Sequence, residues 1–239
     1  MTPVRLQAAA PGRRPMASLS IVIPALDAAA TLPACLGALD EDRPGEVWVV
    51  DGGSRDGTRR LAAAWGCRLG AAARGRGRQL RTGALLARGP WLLFLHADTR
   101  LSAGWSQVVS LFMESDGASG RAGYFLLRLD SPRPQARRVE CLANWRAGVF
   151  GLPYGDQALL IHKSLYDRVG GFPDWPLMED VALARAIGRR RLRPLPARAT
   201  TAAAKFERDG WWLRPLSNLA RLGLFLLGVS PERLARRYR

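Results

Sequence analysis

The apolar run Trp91-Leu92-Leu93-Phe94-Leu95 is the feature that most constrains the fold of this chain. Such a run, led in by Gly89-Pro90, predicts a short strand that is buried on both faces. Strands of this kind belong to parallel sheets that are covered by helices on each side. Asp98 follows the run, at the strand end where open α/β sheets bind ligands. It is a candidate ligand of a metal ion, although a role as the cap of the next helix explains it equally well.

The same alternation of strand and helix runs through the N-terminal part of the chain. Apolar runs predict strands at Leu19–Pro24 and Glu46–Asp51, and Arg76–Ala87 has helical spacing. Short loops between such elements favour right-handed βαβ units. Further along, we predict an antiparallel strand at Tyr124–Leu129 and a helix at Glu179–Arg189. The expected fold class is therefore α/β: a Rossmann-like, mostly parallel sheet with helices on both faces and a small antiparallel extension.

A chain of 239 residues suits one large α/β domain. Residues 1–18 lack the apolar core of a signal peptide, and we expect a disordered leader there. The domain is expected over residues 19–212, followed by a helical tail over residues 213–239. This tail is apolar but interrupted by Arg214 and Pro215, so it either packs on the domain or lies on a membrane surface. No apolar stretch is long enough to predict a transmembrane helix.

The formal net charge of +16 favours partners that carry phosphate: a nucleotide, a nucleic acid or an anionic membrane. A genome-wide bias towards alanine, arginine and glycine explains part of this charge. The cysteines Cys35, Cys67 and Cys141 are scattered, which argues against disulfides or a zinc site and fits a reducing compartment. We expect a cytoplasmic protein, either free or held at the inner face of the membrane.

Acidic residues follow several of the predicted strands. Asp27 comes just after the first strand, Asp51 ends the second, and Asp98 follows the central one. The carboxyl ends of parallel strands meet at one edge of a sheet, so these side chains should project into a single crevice. Gly52 and Gly53 after Asp51 would let a ligand approach the backbone closely.

A basic run, Arg74-Gly75-Arg76-Gly77-Arg78, lies between these acids in the sequence. Arginine suits bidentate contact with a diphosphate or with the rim of a base. Taken alone, such a run is more often a solvated loop. Its position between the strand-end acids is what favours a binding role.

An ordered set of motifs resembles family 2 glycosyltransferases, which have the GT-A fold. The set comprises Ile21–Asp27, Val49–Thr58, Phe94–Asp98, Gly155-Asp156-Gln157, Gly170-Gly171-Phe172 and Met178–Val181. The resemblance extends over residues 19–212. More narrowly, the runs at residues 74–79, 155–157 and 172–180 resemble a small bacterial subfamily that is linked to arsenosugar biosynthesis.

The resemblance implies an inverting transfer of a sugar from a nucleotide-diphosphate donor to a hydroxyl acceptor, either a small molecule or lipid-linked. Asp98 would bind Mn²⁺ or Mg²⁺ bridging the diphosphate. Asp180 would be the general base, with the adjacent Glu179 as the second candidate. Around the nucleotide sugar the resemblance places Pro24, Ala25, Asp27, Asp51, Gly52, Arg74, Arg78, His96 and Asp98. On the acceptor side it places Gly155, Asp156 and Gln157.

The chain departs from the family pattern at His96, where many relatives carry an acid. The usual D-x-D is here H-x-D, which implies a metal site with one carboxylate and weaker metal binding. Without the resemblance, Glu179 and Asp180 would be read as negative charges that match the dipole of a helix N-terminus. Lys205 and Arg208 are expected to close over the diphosphate as a mobile cover.

Two other functions compete with glycosyl transfer. A nucleotidyltransferase on a related α/β scaffold would also use strand-end acids and Mg²⁺, but no glycine-rich signature with lysine follows the first strand. A nucleic-acid-binding module would explain the charge. It is disfavoured because the arginines are spread along the chain and are not interleaved with aromatic residues on one sheet.

Overall fold

The computed structural model describes residues 15–40 and 44–236, which are organised around an eight-stranded sheet. The strands are β1 (Leu19–Ala25), β2 (Glu46–Asp51), β3 (Arg68–Ala71), β4 (Trp91–Phe94), β5 (Thr99–Leu101), β6 (Ala122–Leu129), β7 (Leu159–His162) and β8 (Leu192–Thr201). Their order across the sheet is β3-β2-β1-β4-β7-β6-β8-β5.

Helices cover both faces of this sheet. They are α1 (Leu32–Gly37), α2 (Thr58–Ala64), α3 (Arg76–Leu86), α4 (Trp105–Glu114), α5 (Pro134–Phe150), α6 (Lys163–Arg168), α7 (Glu179–Ile187), α8 (Ala204–Asp209), α9 (Leu213–Leu226) and α10 (Pro231–Arg236). Short 3₁₀ turns lie at Pro15–Ser18, Ala118–Gly120, Gly155–Gln157 and Arg189–Arg191.

The strand directions confirm the predicted α/β class. Strands β3, β2, β1 and β4 are all parallel neighbours. Strand β7 is antiparallel to both β4 and β6, whereas β8 runs parallel to β6 and antiparallel to β5. A parallel Rossmann-like half is thus joined to a mixed half, which is the predicted antiparallel extension.

Alternating residues of the central strands serve two separate cores. Ile21 of β1 packs in the core formed with α1 and α4, which contains Trp105. Val22, the next residue, faces the opposite core with Leu80 of α3 and Leu183 of α7. Successive side chains of a strand point to opposite faces, so a strand between two helical layers must be apolar throughout. This is why the apolar runs identified these strands so well.

The central strand β4 delivers Asp98 to the carboxyl edge of the sheet. All of β4 is buried, and Leu95, just beyond its last residue, is fully buried as well. Leu95 still donates its N–H to the carbonyl of Val22 at 3.0 Å. Thr99 donates its N–H to the carbonyl of His96 at 3.1 Å, which turns the chain at this edge. His96 and Asp98 therefore lie in a tight turn directly after a rigid strand.

Strands β5 and β8 were not predicted from the sequence. Pro194 and Pro196 argue against a strand, because proline cannot donate a ladder hydrogen bond. In β8 the register with β6 shifts between Tyr124 and Leu126, next to these prolines. Strand β5 pairs only with the last three residues of β8, which lie beyond both prolines. The predicted helix Glu179–Arg189 also ends earlier, at Ile187, because Gly188 adopts a φ of +83°.

The ends of the chain differ from the predicted boundaries. Residues 1–14 of the predicted disordered leader lie outside the described residues, but Pro15–Ser18 form a 3₁₀ turn and Met16 is buried in the core. The tail is helical, and Leu222 and Leu234 pack with Val181 of α7. Among the described residues, every helix is too short or too polar to cross a bilayer.

The packing of α3 on the sheet gives a first testable prediction. A Cβ on Gly83 of α3 would lie 2.2 Å from Cγ1 of Val22. Gly83→Ala should therefore destabilise the fold by about 1–3 kcal/mol, as overpacking does. Gly223→Ala is the matched control, because a Cβ on this helical glycine meets nothing within 4 Å. Urea unfolding measures both; equal stability of the two variants would contradict the packing described here.

Candidate active site

A cavity of about 160 Å³ opens where the carboxyl ends of the strands meet the N-terminus of α7 and the C-terminal helices. Of the predicted site residues it is lined by His96, Asp98, Gly155, Asp156 and Asp180. Segments that are far apart in the sequence thus converge on one space. Arg76 of the basic run lines it as well. The lining residues that were not predicted are Tyr154, Leu177, Met178, Val181, Thr201, Ala202, Phe206, Arg214, Asn218 and Arg221.

Asp27 and Asp51 hold the loop that follows β2. Asp51 accepts the N–H groups of Gly53 at 3.1 Å and of Ser54 at 3.2 Å. Asp27 accepts the N–H of Arg55 at 2.8 Å, and its own N–H donates to Oγ of Ser54 at 2.9 Å. Asp27 has a φ of +48°, a left-handed conformation that costs energy in a non-glycine residue and that these bonds support. Both predicted carboxylates therefore shape the backbone at this edge.

Gln79 forms the floor beneath this loop and was not predicted from the sequence. Its Nε2 donates to the carbonyl of Ala25 at 2.7 Å and to that of Val50 at 2.9 Å, which ties the ends of β1 and β2 together. Gly52 lies against this amide: a Cβ there would come within 3.0 Å of Nε2. The sequence signal that could have identified Gln79 is a polar residue on the buried face of α3, next to Leu80.

Of the three arginines in the basic run, the structure brings Arg76 into the site. Its Nε donates to Oε1 of Glu179, and its Nη2 lies 3.9 Å from Oδ2 of Asp180. By contrast, Arg78 pairs with exposed Asp174 at 2.7 Å, and Arg74 is exposed. Neither of these two residues lines the cavity, although both were expected near the nucleotide sugar.

Glycine at position 77 lets α3 approach α7 closely enough for this contact. A Cβ on Gly77 would lie 2.6 Å from the carbonyl oxygen of Pro173 and 3.0 Å from Cβ of Glu179. The alternation of arginine and glycine in the basic run is therefore partly a packing requirement. It presents Arg76 to the first turn of α7.

Glu179 and Asp180 have different surroundings despite being neighbours. Glu179 is fully buried, and this burial raises the pKa of its carboxyl while Arg76 opposes the change. Asp180 lines the cavity; its Oδ2 accepts the N–H of Gly155 at 2.8 Å and its Oδ1 accepts that of Val181 at 2.8 Å. Both oxygens of Asp180 are thus held in a fixed orientation at the cavity wall.

His96 and Asp180 both approach the backbone at Gly155. A Cβ on Gly155 would lie 2.5 Å from Nε2 of His96 and 3.5 Å from Oδ2 of Asp180. Only glycine allows the imidazole ring and the carboxylate to meet the backbone here. The predicted motif Gly155-Asp156-Gln157 therefore contributes a close backbone approach as well as its polar side chains.

Asp156 carries the most perturbed carboxyl of the cavity. Burial, together with the nearby carboxylates of Asp180 and Asp98, raises its pKa to about 6, although Arg146 and Arg76 oppose the change. Its Oδ1 is buried and has no hydrogen-bond partner within the described part of the chain. Carboxylates in such proximity repel one another and favour protonation or a bound cation.

Gln157, the third residue of that motif, is held inside the protein. It is fully buried, and its Nε2 donates to the carbonyl of Phe125 at 3.3 Å and to Oδ1 of Asn144 at 3.2 Å. Its Oε1 accepts the N–H of Tyr154 at 3.3 Å. Gln157 does not line the cavity but fixes the turn that carries Gly155 and Asp156.

The C-terminal wall of the cavity is formed by α8 and α9. Arg214, Asn218 and Arg221 of α9 line it, and their spacing places them on one face of the helix. Arg208, predicted as part of a diphosphate cover, pairs with Asp209 at 2.7 Å and lies outside the cavity. Lys205 lies in α8, but its side chain is outside the described residues. The arginines of α9 were missed because they were read as interruptions of an apolar tail.

The donor set of the cavity fits a hard divalent cation. Within residues 15–40 and 44–236, no group of three or more His, Cys, Asp and Glu side chains is arranged to hold a metal by itself. Mg²⁺ is usually held by one or two carboxylates, with phosphate oxygens and waters completing the shell. Asp98 and the unsatisfied Oδ1 of Asp156 supply oxygens of this kind.

Comparison with known proteins identifies the family. The model of glycosyl transferase family 2 matches residues 20–166, more than half of the chain. The chain belongs to this family. A PGL/p-HBAD biosynthesis glycosyltransferase of Mycobacterium tuberculosis is 41% identical to this family 2 chain over 91 residues. That alignment spans 34% of this chain and 36% of the relative.

Solved structures support the same fold. S. aureus TarS 1–349, in complex with UDP-GlcNAc, has a TM-score of 0.59 at 20% identity. The alignment covers 77% of this chain and 58% of the TarS chain. The mannosyltransferase PcManGT from Pyrobaculum calidifontis, in complex with GDP-Man and Mn²⁺, has a TM-score of 0.63 at 20% identity. That alignment covers 92% of this chain and 68% of the PcManGT chain. At these identities the likeness establishes the fold alone, which is the GT-A fold expected of this family 2 chain.

The carboxyl of Asp156 gives a testable pH dependence. A carboxyl whose pKa is raised to about 6 in the folded protein lowers the free energy of unfolding when it is deprotonated. This loss of stability grows between about pH 4 and pH 6. Without added metal, Asp156→Asn should be more stable than the wild type at pH 7.5, by on the order of 1 kcal/mol, and the gain should vanish near pH 4. Thermal unfolding at both pH values measures this. A gain that persisted unchanged at low pH would contradict it.

Proposed function

We propose that this chain is an inverting, divalent-metal-dependent glycosyltransferase that moves a sugar from a nucleotide-diphosphate donor to a hydroxyl acceptor. The observation that carries the proposal is the convergence of Asp98, Asp156 and Asp180 with Arg76 on one cavity at the carboxyl edge of the sheet. Membership of family 2 supports the reaction class. The structures of relatives in complex with UDP-GlcNAc, or with GDP-Man and Mn²⁺, support the donor class.

The donor is proposed to lie along the ends of β1, β2 and β4. Pro24, Ala25, Asp27, Asp51 and Gly52 would surround the base and ribose, on the backbone that Gln79 fixes. The diphosphate would extend towards Asp98. Arg74 and Arg78 could contribute only if a donor drew their exposed side chains inward, so we assign the positive charge at the diphosphate to Arg76, which already lines the cavity.

Asp98 is the proposed metal ligand, with Asp156 as a second oxygen donor and His96 beside them. A bound Mn²⁺ or Mg²⁺ would neutralise the charge that develops on the leaving nucleoside diphosphate. The raised pKa of Asp156 is a consequence of crowded carboxylates, which such a cation would relieve. Asp156 would then replace the acid that many relatives carry at the position of His96.

Asp180 is the proposed general base. It lies at the cavity wall, and the N–H groups of Gly155 and Val181 fix its two oxygens. A carboxylate held in this way can accept the proton of an acceptor hydroxyl as the hydroxyl attacks the anomeric carbon. Fully buried Glu179 is instead proposed as a positioning residue, because it binds Arg76 and orients its guanidinium.

The acceptor is proposed to enter from the side of Tyr154, Phe206 and α9, where Arg214 and Arg221 line the cavity. A small molecule or a lipid-linked hydroxyl fits this assignment. The narrower link to arsenosugar biosynthesis rests on three sequence motifs. Two of these motifs meet in the site, since Arg76 contacts Glu179 and Asp180; this supports a shared local geometry but not the identity of the acceptor.

Replacement of Asp98 tests the metal assignment. Asp98→Ala should lose the Mn²⁺-dependent part of its affinity for a nucleoside diphosphate, because the ion bridging protein and diphosphate loses its main ligand. Isothermal titration with UDP and GDP, each with Mn²⁺ and with EDTA, measures this. Asp116→Ala is the control, since Asp116 is exposed and distant from the cavity lining. Unchanged Mn²⁺-dependent affinity in Asp98→Ala would refute the assignment.

Replacement of Asp180 separates binding from transfer. Asp180→Asn keeps the size of the side chain and should bind donor normally, but the rate of transfer should fall by about 10²–10⁴-fold, because the base is lost. A thermal-shift screen of nucleotide sugars with Mn²⁺ identifies the donor, and single-turnover assays with that donor then measure transfer. Asp167→Asn is the control, because Asp167 on α6 is exposed and does not line the cavity. Near wild-type transfer by Asp180→Asn would place the base elsewhere.

A further inference from the structure

Helix α9 turns polar side chains towards the cavity and exposes several leucines to solvent. Arg214, Asn218 and Arg221 line the cavity. On the outer side Leu216 and Leu219 are each 61% exposed. A surface helix of a soluble protein normally has the reverse arrangement, with its apolar stripe facing the core. The outer face of α9 therefore has the character of an interface.

Helix α5 carries a second exposed apolar stripe. Leu142, Trp145 and Phe150 are each more than half exposed, and the rings of Trp145 and Phe150 contact each other edge to face at 5.3 Å. The stripe adjoins α9 at one corner, where Arg138 of α5 lies 5.9 Å from the ring of Trp212, the residue that precedes α9. We call these two outer faces together the α5–α9 surface. Exposed apolar patches of this kind mark sites of association.

The charges around the α5–α9 surface are basic. Arg138 is exposed at one end of the α5 stripe, and the exposed turn Arg189–Arg191 lies at the other, where Cα of Arg189 would be 2.7 Å from a Cβ on Gly151. The acid of α5, Glu140, is buried, and the acids that precede α9, Glu207 and Asp209, are paired with Arg133 and Arg214. An apolar surface with a basic rim is complementary to a layer of apolar chains beneath anionic headgroups.

We propose that the α5–α9 surface docks this protein onto an anionic lipid bilayer. The apolar side chains would enter the boundary between headgroups and acyl chains, with Trp145 and Trp212 at the interface, where tryptophan is favoured. The arginines at the rim would contact anionic headgroups. A second copy of the chain is the weaker occupant, because a two-fold interface would oppose the basic rims of two chains that each carry a formal net charge of +16.

Docking in this orientation would place the cavity close to the membrane, because α9 separates the two. It is a property of the outer surface and does not depend on the proposed transfer reaction. Vesicle binding without substrate or metal therefore tests it separately. If the bilayer is bound and no transfer is found, the docking proposal stands while the proposed function fails.

Vesicle co-sedimentation is the test, with phosphatidylcholine vesicles and with vesicles of equal parts phosphatidylcholine and phosphatidylglycerol. The wild type should bind the anionic vesicles and lose this binding at high salt. The double variant Leu216→Gln and Leu219→Gln should bind at least about tenfold more weakly, because burial of the leucine side chains drives insertion. The pair Arg190→Glu and Arg191→Glu, at two exposed positions, should weaken binding to a similar extent.

Leu85→Gln is the matched control, because Leu85 is 76% exposed on α3, away from the α5–α9 surface. It should bind as the wild type does, and thermal unfolding should show all variants to be folded. Three results would overturn the proposal: no binding of the wild type to anionic vesicles, equal weakening by Leu85→Gln, or a wild-type dimer in light scattering that the double leucine variant converts to a monomer. The last result would make the surface a contact between copies.

Discussion

The guanidinium of Arg76 is the contact on which the geometry of this site depends. It interacts with Glu179, Asp180 and Asp156, carboxylates that come from two separate parts of the sequence. Charges drawn together in a partly buried space interact far more strongly than charges in water. Arg76 can reach them only because Gly77 removes the side chain that would hold α3 away from the start of α7. Arg76 thereby fixes the positions of the strand ends, α3 and α7 relative to one another.

Arg76 and the carboxylates around it form an acidic group in a chain whose composition is strongly basic. The formal net charge of +16 pointed to phosphate-bearing partners, yet the cavity sets Asp98, Asp156 and Asp180 against an equal number of arginines. The carboxylates would repel a diphosphate, and a divalent cation bound together with it would remove that repulsion. Net charge therefore describes the outer surface of this protein. The binding chemistry depends on the local balance at the carboxyl edge of the sheet.

The sequence was informative wherever a feature was local. Apolar runs between helices predicted β1, β2 and β4, and the acids after them fell at the predicted edge, because strand burial and strand ends are both visible in the residue pattern. Strand β8 was missed because its prolines are tolerated only through a register shift against β6, which is a tertiary feature. Likewise, the choice of Arg76 over Arg74 and Arg78 follows from the contact between α3 and α7 across about a hundred residues of sequence, and no local pattern encodes it.

The orientation of helix α9 could not be predicted from the sequence either, and it matters for function. Its periodicity identifies two faces, but periodicity alone does not say which face points inward. Here Arg214 and Arg221 line the cavity, whereas Leu222, Leu224 and Phe225 pack in the cluster that contains Val181 of α7. Because polar residues of α9 face the cavity, Leu213, Leu216 and Leu219 are left on the exterior. A ligand in the cavity and a partner on the outer surface would therefore both act on the position of α9, and by thermodynamic linkage each would strengthen or weaken the binding of the other.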